Sequence, residues 1–346
     1  MTEKLAITFA IPGELSGISG GYEYCRRLFA GFDAAGVRAE PLQLPMLHPE
    51  PTADALRQTE AMLSEVEGPL LIDCLAYGAF PASLADQVGP RTIALHHHPL
   101  CLETGLNAAQ ADALEASEGY ALRAARGVIV TSPTTARTVR EMFAVPEQQI
   151  AIARPGTVEA PRSLADGTEA RLLAVGAVIP RKGFDLLIDA LALMPDAPWT
   201  LDIVGPLTVD LPCVADLRGQ IAALQLDERV ALHGAVAANE LAAWYSLSDI
   251  FVSSALYEGY GMALAEAVNR GLPIVAAEGG AVSETAPSAQ IADIRDAAAF
   301  AAALRPLITD LDLRKRAADA SWDAAHALPR WEQTVAEVAD ALRRFL

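Results

Sequence analysis

The chain has 346 residues, of which 52% are hydrophobic and 20% are charged. That composition supplies enough apolar side chains for two packed domains and excludes an intrinsically disordered protein. The charged residues are 26 basic and 44 acidic, which gives a net charge of -18. A protein surface that binds the phosphate backbone of a nucleic acid is basic. The acidic balance therefore argues against a nucleic-acid partner and against general electrostatic binding to anionic lipid.

The cysteines are isolated from one another. None forms a Cys-x-x-Cys pair, and they stand at Cys25, Cys74, Cys101 and Cys213. We therefore expect buried thiols in a reducing compartment. The N-terminal apolar run Leu5–Ile11 is too short to cross a membrane, and no run reaches ~18 apolar residues. The sequence thus predicts a soluble, cytoplasmic protein without a transmembrane segment, and it leaves the oligomeric state open.

The first half of the chain alternates between strand-like and helix-like segments. The predicted strands are Leu5–Ile11, Leu70–Cys74, Thr92–Leu95 and Gly127–Thr131. A Gly-rich stretch after the first strand leads into a predicted helix over Tyr22–Ala35, and Ser132-Pro133 begins another. Strands separated by helices predict a parallel sheet with right-handed crossovers.

The alternation stops over 154–167 and then starts again. This stretch contains Pro155, Gly156, Pro161 and Gly167, so we place the connection between two domains there. The second series has a helix over Phe184–Leu193 and strands at Arg171–Val175, Thr200–Val204, Arg229–Leu232, Asp249–Val252 and Pro273–Ala276. The part after Asp296 is mostly helical. Two such series predict two doubly wound domains across a cleft, with ligands at the carboxyl ends of the strands.

The most informative motif runs from Glu258 to Glu266, with the sequence EGYGMALAE. Gly261 permits a tight turn into a helix predicted over Met262–Asn269, and the start of a helix suits a phosphate. Glu266 lies about one turn inside that helix, where its carboxylate can accept hydrogen bonds from a ribose diol. Glu258 lies just before it, where it can hold sugar hydroxyls. The same residues also fit a helix with one capping and one solvated glutamate.

This motif resembles the signature of retaining glycosyltransferases of family 4, which have the two-domain GT-B fold. The signature has two glutamates separated by seven residues and a Gly-aromatic-Gly step, here Gly259-Tyr260-Gly261. The resemblance implies that Glu258 contacts the donor sugar and that Glu266 contacts the nucleotide ribose. The amides that it assigns to the donor diphosphate are those of Gly261, Met262 and Ala263. The following segment, 279–284, resembles the next loop of the family.

A second match lies at 175–183, where a strand leads into a Lys-Gly step. In the family, an arginine and a lysine in this segment both bind the donor diphosphate. Lys182 occupies the lysine position, but Ala177 occupies the arginine position. Arg181 is the candidate for the missing charge. The alternative is an exposed basic pair at a helix start, but basic residues there oppose the helix dipole unless an anion is bound.

Gly20 and Gly21 follow the first predicted strand and precede the first predicted helix. In members of the family, a Gly-Gly pair at this place approaches the donor phosphate and the acceptor. A Gly-rich turn alone is weak evidence, because such turns occur throughout α/β proteins. Its position after the first strand is what supports a role in donor binding.

Three consecutive histidines, His96 to His98, directly follow the predicted strand Thr92–Leu95. Side chains alternate along an extended chain, so the three cannot easily meet one metal ion. The family often places a histidine here, near the transferred sugar. His97 is the best match, with His98 next, and the resemblance implies a hydrogen bond to a sugar hydroxyl. The alternative is a structural histidine at a strand end.

Three further residues follow strands of the second series, namely Gly205, His233 and Gly234. They resemble the strand ends that line the nucleotide base in the family, although similar strand ends are common in parallel sheets. Asp310 and Asp312 have the spacing of a metal-binding Asp-x-Asp, but they lie in the late helical region and we discount them. No metal site and no cofactor are expected, because the nucleotide sugar is a co-substrate.

The resemblance implies two Rossmann-like domains: an acceptor-binding domain at 1–158 and a donor-binding domain at 159–325. A final helix within 326–346 would return to the first domain. The implied reaction moves a sugar from a UDP- or GDP-linked donor to a hydroxyl of a sugar, lipid head group or small molecule. The configuration would be retained without a metal, and the catalytic candidates are His97, Lys182 and Glu258.

Two other functions remain open at this point. Ala177 in place of the arginine favours a non-catalytic nucleotide-sugar-binding protein, and a GT-B phosphorylase or epimerase would share the fold. A lipid acceptor would require peripheral membrane contact through a local basic or apolar patch. The candidates for it are Arg26, Arg27, Arg123, Arg126, Arg137 and Arg140. Arginines on helices of the first domain are alternatively just solvated.

Overall fold

A computed structural model describes residues 4–346. The chain divides into two compact units, of which the second is Thr157–Leu328. The first comprises the described residues up to Gly156 together with Pro329–Leu346. Each unit contains one six-stranded sheet. The sequence placed these boundaries at 158/159 and 325/326.

The first unit has the sheet order β2-β1-β3-β4-β5-β6, and every neighbouring pair is parallel. The strands are β1 (Leu5–Pro12), β2 (Val37–Leu44), β3 (Leu70–Asp73), β4 (Thr92–His96), β5 (Gly127–Val130) and β6 (Ile150–Ile152). The helices are α1 (Gly20–Phe32), α2 (Ala53–Ser64), α3 (Cys74–Tyr77), α4 (Ala82–Val88), α5 (Ala108–Ala124) and α6 (Pro133–Phe143). All four strands predicted for this half are present, each with bounds that differ by one residue at most.

Helix α1 begins earlier than predicted, because Gly20 and Gly21 form its first turn rather than a loop before it. The Ser19 hydroxyl accepts a hydrogen bond from the amide of Tyr22 at 3.3 Å and so caps the helix. The helix ends at Phe32, three residues before the predicted end at Ala35. Its buried face contains Tyr24, as the helical spacing predicted.

The second unit has the sheet order β12-β11-β10-β7-β8-β9, again with parallel neighbours. The strands are β7 (Ala170–Val175), β8 (Trp199–Val204), β9 (Val230–Leu232), β10 (Ile250–Ser253), β11 (Ile274–Ala277) and β12 (Gln290–Ala292). The helices are α7 (Phe184–Ala192), α8 (Leu211–Ala223), α9 (Ala238–Leu247), α10 (Met262–Val268), α11 (Val282–Thr285), α12 (Ala297–Thr309) and α13 (Leu311–Ala324). The chain builds the sheet outwards from β7 in both directions, so β7 and β10 border a topological switch point, where such sheets bind ligands.

The core of the second unit lies between its central strands and α7. Leu172 on β7 and Leu201 on β8 are fully buried, as are Leu187 and Leu191 on α7. Burying a leucine side chain contributes about 1.5–3 kcal/mol. The replacement Leu187→Ala would leave a cavity and cost about 2–5 kcal/mol. This packing holds the end of β7 and the start of α7 in place.

The last helix, α14 (Trp331–Phe345), belongs to the first unit. Two glycines leave room for it. A Cβ on Gly31 of α1 would come within 2.7 Å of Val335, and a Cβ on Gly127 of β5 would overlap the ring of Phe345. Both close approaches therefore depend on the missing side chain. None of the helices among residues 4–346 is both long and apolar enough to cross a membrane.

Candidate functional site

The candidate site of the second unit lies at its switch point, where β7 and β10 end. One crevice there is lined by Val175 at the end of β7 and by Ser253 at the end of β10. Lys182, Glu258 and Ala263 line the same crevice. Residues predicted from two separate motifs, Lys182 from one and Glu258 and Ala263 from the other, are therefore neighbours in the structure.

Lys182 and Glu258 form an ion pair, with 2.5 Å between Lys182 Nζ and Glu258 Oε1. Their side chains are 17% and 13% exposed, so the pair is only partly screened by water. The turn before α7 positions the lysine, because the hydroxyl of Ser254 donates to the Lys182 carbonyl at 2.7 Å. Gly183 follows with φ +59°, and a Cβ on it would overlap the Ser254 carbonyl. The residue after Lys182 must therefore be a glycine, because a side chain there would clash with Ser254.

Gly176, the residue just before the predicted arginine position, lies beside this lysine. A Cβ on Gly176 would come within 2.8 Å of Lys182 Cε, and Ala177 is the next residue and half-buried. Arg181 uses part of its guanidinium as a brace, because its Nη1 donates to the Tyr257 carbonyl at 3.0 Å. That contact holds the segment before Glu258. A contribution of Arg181 to the charge of the site remains a prediction.

The loop at 279–285 supports the backbone around Glu258. Gly280 has φ +62°, and a Cβ on it would overlap the Glu258 carbonyl. The same carbonyl accepts a hydrogen bond from the Ala281 amide at 2.8 Å. The hydroxyl of Thr285 donates to the Tyr260 carbonyl at 2.6 Å. The Gly-Gly step that resembles the family's loop therefore permits a close approach of two backbone segments.

Helix α10 begins at Met262 after Gly261, whose φ of +87° favours glycine. The amides of Met262 and Ala263 lie in its first turn, where the helix itself offers no carbonyl partner. The carbonyl of Ala263 accepts a hydrogen bond from the hydroxyl of Tyr245 at 3.1 Å. The helix is seven residues long and ends at Val268, one residue before the predicted end.

Glu266 is held by an arginine that the sequence analysis did not single out. Arg270 Nη1 donates to Glu266 Oε2, and it also donates to the Glu266 carbonyl at 3.0 Å. Arg270 is 5% exposed, and its guanidinium lies 4.8 Å from the centre of the Tyr245 ring. The two predicted glutamates thus have different cationic partners, one lysine and one arginine.

The strand ends that were predicted to line a nucleotide base come together. The Gly205 amide donates to the Gly234 carbonyl at 2.9 Å. His233 Nε2 lies 2.6 Å from Oδ1 of Asp202, which is on β8. The His233 ring lies 4.2 Å from the ring of Trp244, between centroids. The sequence analysis did not identify Asp202 or Trp244. Asp202 could have been noticed as a carboxylate within a mostly apolar strand.

The remaining predicted residues lie in the first unit. His97 Nε2 is 3.1 Å from Asp73 Oδ2, and a Cβ on Gly21 would be 3.5 Å from the His97 ring. Burial alone would raise the pKa of Asp73. The charge and hydrogen bond of His97, with the Leu75 amide and the Cys25 thiol, outweigh burial and lower that pKa below its ordinary value.

The three histidines contact three different acids. His96 Nδ1 lies 3.3 Å from a Glu118 carboxylate oxygen, with both side chains fully buried. His98 Nε2 lies 2.9 Å from Glu103 Oε2. His97 and His98 are both half-buried and each contacts its acid through Nε2, whereas His96 is fully buried.

One group of side chains in the first unit has the composition of a metal site. The donor atoms of Cys25, Asp73 and His97 lie within 4.8 Å of one another. Burial first, and then the charge of Asp73, raise the pKa of the Cys25 thiol well above its ordinary value. The thiol therefore keeps its proton and lies 3.5 Å from Asp73 Oδ2. Hydrogen bonds account for this cluster, and the absence of a metal stays a prediction.

Asp310 caps a helix, which agrees with the expectation that the Asp-x-Asp spacing is not a metal site. Its Oδ1 accepts a hydrogen bond from the Leu313 amide at 2.9 Å and caps α13. Asp312 lies in the first turn of that helix. The pair therefore stands at a helix start, and negative charge is favourable there because of the helix dipole.

The arginines considered for a lipid-binding patch all have partners within the first unit. Their acceptors are Glu23, Leu15 and Gly17 for Arg26, Glu23 for Arg27, Phe143 for Arg123, Phe345 and Leu346 for Arg126, Thr134 for Arg137 and Glu141 for Arg140. Several of these acceptors are backbone carbonyls at chain ends or turns. The contacts favour a structural role over a shared anion-binding surface.

Comparison with known proteins gives a match to one family model over the second unit. Residues 158–322 match the family model described as glycosyl transferases group 1. Mannosylfructose-phosphate synthase of Agrobacterium fabrum is 30% identical over 166 residues, 43% of this chain and 37% of that protein. D-inositol 3-phosphate glycosyltransferase of Pseudarthrobacter chlorophenolicus is 32% identical over 175 residues, 46% of this chain and 41% of that protein. The matches thus span less than half of either curated relative.

The fold comparison extends over both units. Sucrose-phosphate synthase from Thermosynechococcus elongatus superposes with a TM-score of 0.81 at 20% identity and with 98% of each chain covered. The predicted fold class, GT-B with two Rossmann-like parallel-sheet domains, is therefore confirmed. The sequence resemblance is confirmed at the level of the family model. Over residues 158–322, the second unit is therefore similar to the glycosyl transferases group 1 family.

Proposed function

We propose that the chain is a glycosyltransferase that moves a sugar from a nucleoside-diphosphate sugar to a hydroxyl acceptor. One observation carries the proposal: the Lys182–Glu258 ion pair lies at the switch point of the unit that matches the family model. An ammonium group with three donors can bind a diphosphate oxygen while it remains beside a carboxylate. A carboxylate beside it can accept hydrogen bonds from sugar hydroxyls.

In this proposal each predicted residue of the second unit has one task. Lys182, with the first amides of α10, stabilises the charge that develops on the departing diphosphate. Glu258 holds hydroxyls of the transferred sugar, and Glu266 holds the ribose. The strand ends around Gly205, His233 and Gly234 lie beside the base.

We further propose retention of the anomeric configuration without a metal ion. The acceptor attacks from the face from which the leaving group departs, and a phosphate oxygen of the donor takes the acceptor proton. The protein then contributes positioning and charge stabilisation and no nucleophile. His97 supports the transferred sugar. If its Nε2–H donates to Asp73, its Nδ1 is left as an acceptor for a sugar hydroxyl.

The donor nucleotide is either UDP or GDP, and the first unit binds the acceptor. The names of the two curated relatives include a phosphate-bearing sugar or polyol, so sugar phosphates and inositol phosphates belong in the acceptor panel. We place the reaction in the cytoplasm. The four cysteines are free thiols, and burial raises the pKa of Cys25 and Cys74, which suits a reducing compartment.

The test is a transfer assay with UDP- and GDP-linked sugars, read out by product formation and by the anomeric configuration of the product. Lys182→Ala and Glu266→Ala should each lower the rate about 100-fold, because each removes a preorganised contact to the donor. Lys315→Ala is the matched control, since that lysine is exposed on α13. Full activity in Lys182→Ala, an inverted product or a loss of activity with EDTA would each contradict part of the proposal.

Ala177 supports one second candidate, a protein that binds a nucleotide sugar without transferring it. The two candidates differ in slow donor hydrolysis, because a competent transfer site passes some sugar to water. Binding without hydrolysis and without transfer would favour the second candidate. Dependence on inorganic phosphate, or sugar interconversion without an acceptor, would instead indicate a phosphorylase or an epimerase.

A further inference from the structure

We propose that Arg270 is a positioning residue that orients the carboxylate of Glu266 toward the ribose of the donor nucleotide. The inference rests on the proposed function, because it deepens the role of Glu266 within the same site. It concerns a residue that does not itself touch the substrate.

Arg270 lies one turn after Glu266 and fixes it at two points. Its Nη1 donates to Glu266 Oε2 and to the Glu266 backbone carbonyl, the latter at 3.0 Å. The order of acid before base at this spacing favours the pair. With Oε2 engaged, the side chain keeps one orientation, and Oε1 remains to accept hydrogen bonds from a ribose diol.

The ring of Tyr245, on α9, packs against the guanidinium of Arg270. The guanidinium lies 4.8 Å from the centre of its ring, and the tyrosine is 2% exposed. The Tyr245 hydroxyl donates to the Ala263 carbonyl in the first turn of α10, at 3.1 Å. One stack therefore connects the ring, the arginine, the carboxylate of Glu266 and the start of the helix that is proposed to meet the diphosphate.

The burial of Arg270 distinguishes this pair from an ordinary surface pair on a helix. The arginine side chain is 6% exposed, whereas that of Glu266 is 25% exposed. Removing a guanidinium from water is unfavourable unless its partners compensate, and well-packed apolar residues often serve stability better at such places. Arg270 Nε is buried and has no hydrogen-bond partner among the described residues. The arginine therefore binds the Glu266 carboxylate while one of its own buried donors stays without a hydrogen bond within the described part of the chain.

The experiment measures how well the full chain distinguishes a ribonucleotide from its 2′-deoxy counterpart. Calorimetric titration first uses UDP and GDP, and then the 2′-deoxy form of the one that binds more tightly. The wild type should prefer the ribonucleotide by about 10- to 100-fold, the range for hydrogen bonds to a charged group. In Arg270→Gln that ratio should fall below about threefold while the affinity for the 2′-deoxy compound stays nearly the same.

Two further variants keep the test decisive. Arg270→Lys retains the charge, but its single ammonium cannot reproduce the planar contacts, so its ratio should also fall. It decides the outcome if Arg270→Gln does not fold. Arg314→Gln is the matched control, because Arg314 is 2% exposed in the same unit and donates to the Ala165 carbonyl at 3.1 Å. This control should keep the wild-type ratio.

An unchanged ratio in both Arg270 variants would overturn the inference. So would an equal loss of affinity for both nucleotides, because that result would mean a merely structural role. If the wild type binds the nucleotide but does not distinguish the 2′-deoxy form, the inference fails and the proposed function stands. If the wild type binds neither UDP nor GDP, both fail.

Discussion

At the scale of single residues, the second unit sets one cation against each of its two predicted glutamates. Lys182 pairs with Glu258, and Arg270 pairs with Glu266. The lysine pair is exposed enough to exchange partners with a bound anion, whereas the arginine pair is anchored on Tyr245. We infer that the first pair acts on the reacting part of the donor and that the second fixes the part that does not react.

The departure at Ala177 gives a prediction about diphosphate affinity. Ala177→Arg should raise the affinity for UDP or GDP about tenfold, because it adds a charge-assisted hydrogen bond beside Lys182. Affinity for the nucleoside without phosphates should not change. Calorimetric titration of the nucleotide and the nucleoside checks both statements. An equal gain for both ligands, or none for either, would show that position 177 does not face the diphosphate.

The contacts of Asp73 give a prediction about pH. Its pKa in the folded chain lies below the ordinary value of about 3.9, so its ionised form contributes stability above that pH. That contribution is lost as the pH falls through the lowered pKa. Asp73→Asn keeps an acceptor for the Leu75 amide but removes the charge, and it should lower stability by about 1–3 kcal/mol at pH 7.

Urea denaturation of wild type and Asp73→Asn at pH 7, at pH 5 and near pH 3 measures this difference. It should be largest at neutral pH and shrink near pH 3, because the unfolded chain there takes up a proton on Asp73 more readily than the folded chain does. A difference that is the same at every pH would show that shape, and not charge, explains the role of Asp73.

The residues that carry the family signature could be predicted from sequence, but most of their partners could not. The sequence itself shows the motif spacings that identify Lys182, Glu258 and Glu266. Asp202 meets His233 because β8 and β9 lie side by side in one register. Such a contact depends on the sheet. Arg270 was in principle visible, since it follows Glu266 by one turn, but an arginine there is also typical of a surface pair.

At the scale of elements, the sequence predicted the central strands and the edge strand β9, but it missed the edge strands β2, β6 and β12. β2 contains Glu40 and Pro41 and is buried at only two of its eight positions. β6 and β12 are three residues each and lie at the edges of their sheets. β6 and β12 are too short to form an apolar run, and the polar residues and proline of β2 interrupt its apolar pattern. None of the three therefore has the apolar run on which the prediction depended.

The seat of α14 in the first unit gives a prediction about packing. Gly127→Ala should cost about 1–3 kcal/mol, because its Cβ would overlap the Phe345 ring. Phe345→Ala should cost about 3–5 kcal/mol through the cavity it leaves. In the double variant the new methyl group has room, so the combined loss should be smaller than the sum by about 1 kcal/mol or more. Denaturation curves of the four chains measure this coupling, and strict additivity would contradict the contact.

At the scale of the whole molecule, the acidic chain carries its proposed anion site on local groups. A net charge of -18 opposes general attraction of a nucleotide, so Lys182 and the first turn of α10 must supply the attraction themselves. The division into two sheets was visible in the sequence because the alternation of strands and helices starts twice. The return of α14 to the first unit was not visible in its own residues, because an amphipathic helix does not specify which surface it covers.

The most direct test of the central claim is a crystal structure of the chain grown with UDP or GDP. We expect the diphosphate in the crevice at the ends of β7 and β10, with an oxygen about 2.7–3.2 Å from Lys182 Nζ and the ribose hydroxyls on Glu266. A nucleotide bound elsewhere, or a Lys182 side chain that makes no contact with it, would contradict the account.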